Sequence, residues 1–242
     1  MRIVSVMFSM FLLLSCSKND NIPLDNPASQ SEEISAVNTV TISRSYLALG
    51  DSYTIGESVS QQQSFPYQLV NKLNLKGKNF SAPTIIARTG WTTADLQQGI
   101  TSAKLTKKYD FVTLCIGVNN QFQNLSKTTY RTQFRNLLAT AIKFADGQKK
   151  HVSVISIPDW GLTPYGKKSG RDQQRISKDI NAFNAINKEE TLAQGASYTN
   201  ITPASRKVAT DNSLVASDGL HPSGKMYASW VDAIIATFNQ DN

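Results

Sequence analysis

The chain has 242 residues, of which 40% are apolar and 18% charged, a composition that excludes a polytopic membrane protein and a disordered chain and allows one sizeable domain with a real core. Two cysteines, Cys16 and Cys115, and two histidines, His151 and His221, leave no Cys cluster for a metal and make zinc chemistry an unpromising reading. The formal charge of +7 is spread over Lys107-Lys108, Lys149-Lys150, Lys167-Lys168 and Arg206-Lys207. Scattered pairs of this kind read as solvated surface, the alternative being attraction to anionic lipid or polysaccharide; nucleic acid is not an expected partner.

Residues 3–14 form an apolar run of 12, too short to span a bilayer as a helix and matched to the core of a signal peptide. The run ends in Leu13-Leu14-Ser15-Cys16, which resembles the lipobox of bacterial lipoproteins. That resemblance implies cleavage before Cys16 and acylation of the cysteine. Ser17-Lys18-Asn19-Asp20 is similar to the signal of surface-exposed Bacteroidetes-type lipoproteins, so an outer-membrane anchor outside the cytoplasm is expected. Residues 16–43 are rich in Ser, Asn, Asp, Pro and Glu and read as the lipidated Cys and a flexible tether. About 25 such residues reach on the order of 25 to 30 Å. Residues 44–242 are the domain.

The domain opens with Tyr46-Leu-Ala-Leu-Gly50-Asp51-Ser52-Tyr53, read as a buried strand that stops at the glycine and presents a serine. Ser64-Phe65-Pro66 reads as a helix start with Ser64 as its capping hydroxyl, Phe65, Leu69, Val70 and Leu73 forming one face and Gly77 ending it. Residues 84–87 predict a second strand running into Gly90 and Trp91, and residues 93–100 a helix. The clearest buried strand is 111–116, which stops at Gly117-Val118-Asn119-Asn120; a helix with an apolar stripe from Tyr130 to Ala145 follows. Residues 152–157 predict a fourth strand, broken by Pro158 and feeding a long loop through Asp159 and Trp160 to Gly170. A helix through Ile176, Ile180, Phe183 and Ile186, a weaker strand at 196–201 and a last helix from about Ser223 complete the chain.

Strands separated by helices predict a parallel sheet covered on both faces, and such sheets bind ligands at the carboxyl ends of their strands. Gly50-Asp51-Ser52, Gly90, Asn119 and Asp159-Trp160 all follow strands, and Asp218-Gly-Leu-His221-Pro222 lies beyond the fifth. They are expected on one edge. A serine hydroxyl needs a base near neutral pH; His221 is the candidate, and Asp218, three residues earlier, can fix the imidazole tautomer. The Ser52 N–H, the Gly90 N–H and the Asn119 amide are candidate donors to an oxyanion. Tyr53, Trp91, Phe122 and Trp160 follow strand ends and are candidate walls of a substrate pocket. Gly161 to Lys167 has phosphate-loop spacing, but Lys168 replaces the required Ser or Thr and Pro164 removes an N–H, so nucleotide binding is not expected.

The blocks Gly50-Asp51-Ser52, Gly90, Gly117-Val118-Asn119 and Asp218-x-x-His221-Pro222 resemble, in order and spacing, those of the SGNH/GDSL hydrolase family over most of the domain. The resemblance implies a flavodoxin-like three-layer α/β/α sandwich around a five-stranded parallel sheet. It also implies a serine esterase or lipase needing no metal or cofactor, with Ser52, Asp218 and His221 catalytic and Ser52, Gly90 and Asn119 forming the oxyanion hole. Asn120 stands where that family usually has Asp, and Tyr53 where it has Leu. The expected substrate is a lipid or acylated-carbohydrate ester and the expected state a monomer; the alternative is a glycan- or lipid-binding surface lipoprotein that keeps the fold.

Overall fold

A computed structural model describes residues 43–241. The expected signal peptide, the Cys16 anchor and the tether up to residue 42 lie outside the described residues. The order of elements is β1 (Tyr46–Asp51), α1 (Ser52–Ile55), α2 (Phe65–Leu75), β2 (Thr84–Arg88), α3 (Thr93–Ala103), β3 (Phe111–Cys115), α4 (Val118–Phe122) and α5 (Lys127–Phe144). These are followed by β4 (Val152–Ile155), α6 (Pro164–Lys168), α7 (Gln173–Gln194), β5 (Ser197–Thr199), α8 (Thr202–Ser205) and α9 (Gly224–Asp241).

All five strands are parallel, in the order β2-β1-β3-β4-β5. This is the doubly wound order with its switch point between β1 and β3. The two most continuous apolar runs, β1 and β3, occupy adjacent central positions and are buried along their whole length, while β2, at one edge, is only half-buried. α2 packs against α9, and α5 packs against both α3 and α7, so helices cover both faces. Phe65, Tyr227 and Trp230 form an aromatic cluster between α2 and α9, with Tyr227 and Trp230 edge to face at 5.1 Å. Such pairs add about 0.5–1.5 kcal/mol to what area burial contributes.

Four expectations about local structure are corrected. β1 does not stop at Gly50 but runs through Asp51, and Ser52 opens a one-turn helix. Glycine is required inside the strand because a Cβ at Gly50 would lie 2.0 Å from Thr54 Oγ1 and 2.5 Å from the Cys115 carbonyl oxygen. Ser64 does not cap α2; its hydroxyl donates to Gln61 O at 2.8 Å, and the helix relies on Pro66 in its first turn. The stretch after β4 is not a long loop. Asp159 accepts from Gly161 N–H and closes a 3₁₀ turn, then Thr163 caps α6 by accepting from Gly166 N–H at 3.0 Å. α3 extends to Ala103 and is set by a reciprocal cap between Thr92 and Asp95.

Candidate active site

The turns after β1, β2 and β3 open on the same sheet edge, and the loop before α9 folds over it. Asp51 accepts from Tyr53 N–H at 3.0 Å and so caps α1, and Ser52, as the first residue of that helix, has no intrahelical partner for its N–H. The late loop is held by Ala216 N–H to His221 O at 2.8 Å and by Tyr165 N–H to Gly219 O at 2.9 Å. These bonds bring His221 against α1 although 169 positions separate it from Ser52.

His221 Nε2 lies 3.0 Å from Ser52 Oγ, and His221 Nδ1 lies 2.5 Å from Asp218 Oδ2. Asp218 Oδ1 accepts from the backbone N–H groups of Leu220 and His221 at 2.9 and 3.0 Å. Burial pushes the Asp218 carboxyl up, but the hydrogen bonds from His221, the two backbone amides and Ser58 outweigh it and hold the group at about 2. The carboxylate is therefore ionised opposite Nδ1. Ser52 and His221 are both buried, and the Tyr53 ring packs on the imidazole at 5.1 Å between centroids.

Gly90 has φ of 84°, a backbone conformation open to glycine and strained for other residues. Asn119 Nδ2 donates to Trp91 O at 2.9 Å, which aims the amide and leaves its second N–H for another acceptor. Ser52, Gly90, Asn119 and His221 border one cavity of about 150 Å³. Tyr53, Phe122 and Trp160 also line it.

Trp91 does not, and this expectation is corrected. Its ring packs on α3, where a Cβ at Gly99 would come within 2.2 Å of it, so only glycine there leaves room for the indole. Thr89, Val118, Tyr165 and Leu220 line the cavity and were missed. Leu220 carried a signal in its place between Asp218 and His221; Tyr165 carried none, because its position depends on α6. Wider grooves of about 510 Å³ beside β5 and about 530 Å³ beside α3 contain none of Ser52, Asp218 and His221. Asn120 turns away from the cavity and bonds Thr93 twice, its Oδ1 accepting from Thr93 N–H at 3.0 Å and its Nδ2 donating to Thr93 Oγ1 at 2.8 Å. Among the described residues no group of three His, Cys, Asp or Glu side chains is placed to hold a metal ion.

Residues 48–228 match the GDSL-like lipase/acylhydrolase family, about three quarters of the chain. The chain belongs to that family. It is accordingly a carboxylic ester hydrolase, as the family blocks imply. The fold is shared with TesA, at a TM-score of 0.64 and 15% identity over 82% of this chain and 100% of that one. It is shared equally with Axe2, an acetylxylan esterase from Geobacillus stearothermophilus, at 0.64 and 15% over 81% and 94%. A lipase/acylhydrolase from Enterococcus faecalis gives 0.60 and 22% over 80% and 94%. No curated protein sequence matches the chain significantly.

Proposed function

We propose that this GDSL-family hydrolase cleaves short-acyl esters through a Ser52–His221–Asp218 triad and an acyl-enzyme, outside the cytoplasm and anchored by lipid at Cys16. The observation that carries the reading is the unbroken row from Ser52 Oγ to His221 Nε2 at 3.0 Å and from His221 Nδ1 to Asp218 Oδ2 at 2.5 Å. His221 Nε2 takes the Ser52 proton as Oγ attacks the ester carbonyl, and Asp218 balances the imidazolium that forms. The oxyanion is received by the Ser52 and Gly90 N–H groups and the second N–H of Asn119. Collapse breaks the bond to the alcohol, which leaves with the proton from His221. Water then attacks the acyl group with His221 as base, and the free acid departs.

Cavity size supports the short acyl group. About 150 Å³ holds a group near the size of benzene, and its aromatic walls favour an apolar one. The alcohol is proposed to be a carbohydrate or a lipid headgroup.

The test is hydrolysis of p-nitrophenyl esters from acetate to dodecanoate by the wild type and Ser52→Ala. Acetate to butyrate is expected to be cleaved fastest, and Ser52→Ala to lose about 10⁴-fold or more in kcat. Activity rising towards dodecanoate would replace the short-acyl reading with a lipase. Equal inactivity of both proteins on every ester would favour the glycan- or lipid-binding alternative.

A further inference from the structure

The turn after α1 carries a hydroxyl that the family blocks do not include. The N–H groups of Gly56 and Glu57 both donate to Ser52 O, at 3.1 and 3.0 Å, and Val59 N–H donates to Gly56 O at 3.2 Å. Within this turn Ser58 has φ of 65°, in the left-handed region that costs a non-glycine residue energy. From there its Oγ donates to Asp218 Oδ2 at 2.8 Å, across 160 positions of sequence. That oxygen is the one facing His221 Nδ1.

Asp218 receives four hydrogen bonds, and three come from Leu220 and His221 in its own loop. Ser58 supplies the fourth and ties the carboxylate to the element bearing the nucleophile. Such a tie has work to do here because the Asp218 side chain is 29% exposed, so packing alone does not fix its rotation. The neighbouring Glu57 accepts from Thr89 Oγ1, which places the same turn against the β2 end that carries Gly90. We infer that Ser58 is a positioning residue for the acid, its hydroxyl holding Asp218 Oδ2 against His221 Nδ1 and registering the acid loop on the nucleophile turn. The inference rests on the catalytic reading above.

The test compares Ser58→Ala, which removes the hydroxyl and keeps the strained backbone, with Ser58→Gly, which removes the hydroxyl and relieves the strain. Both are expected to lower kcat on p-nitrophenyl acetate about tenfold with KM within about twofold, the scale of one hydrogen bond to a charged group. If the strained backbone and not the hydroxyl set the rate, Ser58→Gly would depart from the wild type while Ser58→Ala would keep its rate. The second readout needs no turnover. The Asp218 carboxyl is held low by its hydrogen bonds, Ser58 among them, and its midpoint in a carbon NMR titration is expected to lie at higher pH in both variants than in the wild type. Wild-type kcat in either variant, or an unmoved Asp218 midpoint, overturns the inference. Ser52→Ala measured beside them separates the two readings: activity there removes the catalytic scheme, while the titration still decides the Ser58 contact.

Discussion

Asp51 is 1% exposed and directly precedes Ser52, the proposed nucleophile, and burial pushes its carboxyl up to about 7 against the pull of the Tyr53 N–H. In the unfolded chain the same group loses its proton near an ordinary value of about 3.9. Between these values the unfolded state binds fewer protons than the folded one, so stability falls as pH rises from about 4 to about 7 and then levels off. Asp51→Asn keeps the acceptor for Tyr53 N–H and removes the charge. It is expected to flatten that slope and to gain up to about 4 kcal/mol at pH 8, measured by urea unfolding at several pH values. Parallel slopes in the two proteins would show that Asp51 is not the source. Asn119 answers to a different test, since its amide is proposed to act on the transition state. Asn119→Ala is expected to lower kcat about 10²- to 10³-fold with KM little changed, and an unchanged rate would remove it from the hole.

At the scale of elements, Asn120 shows how α4 and α3 are fixed together. Its two bonds to Thr93 leave the Thr93 hydroxyl to donate to Gln133 Oε1 at 2.6 Å. Asp at 120 would keep the bond from Thr93 N–H but could meet Oγ1 only as an acceptor, pulling the hydroxyl from Gln133. Asn120→Asp is therefore expected to cost about 1–2 kcal/mol at neutral pH, less at acid pH where the carboxyl protonates, with kcat within about threefold. A large loss of kcat with stability intact would assign Asn120 a part in the chemistry. The strands and the three long amphipathic helices were legible in the sequence, because periodicity and continuous burial follow directly from position in a covered parallel sheet. So were the residues that follow strand ends, since topology alone puts them on one edge. Contacts made by turns were not. The fold of α6, the Ser64 bond to Gln61 and the Ser58 bond to Asp218 depend on which loop reaches which, and no spacing encodes that. Trp91 fails for the same reason: following a strand end fixes where its Cα sits, while its ring lies in the space that Gly99 leaves on α3.

For the whole molecule, the proposed chemistry lies between Gly50 and Pro222, whereas the proposed anchor lies at Cys16. Among the described residues no helix is long and apolar enough to cross a membrane. One acyl chain binds only marginally at roughly 0.8 kcal/mol per buried CH₂, and stable anchoring needs the several chains that lipoprotein processing would add. Anchor and site should then separate cleanly once the leader is exchanged. The chain from Ser17 onward, secreted behind a signal peptide that is cleaved without lipidation, is expected in the aqueous phase of a Triton partition, whereas the lipidated wild type is expected in the detergent phase. The kcat/KM of the secreted form on p-nitrophenyl acetate should stay within about twofold of the wild type, because a small soluble ester reaches the roughly 150 Å³ cavity without help from a surface. A secreted form that still partitions into detergent would remove the lipid anchor from the account, whatever its activity. Loss of activity in a secreted form that partitions into water would instead mean that the segment before Ser17 contributes to the site.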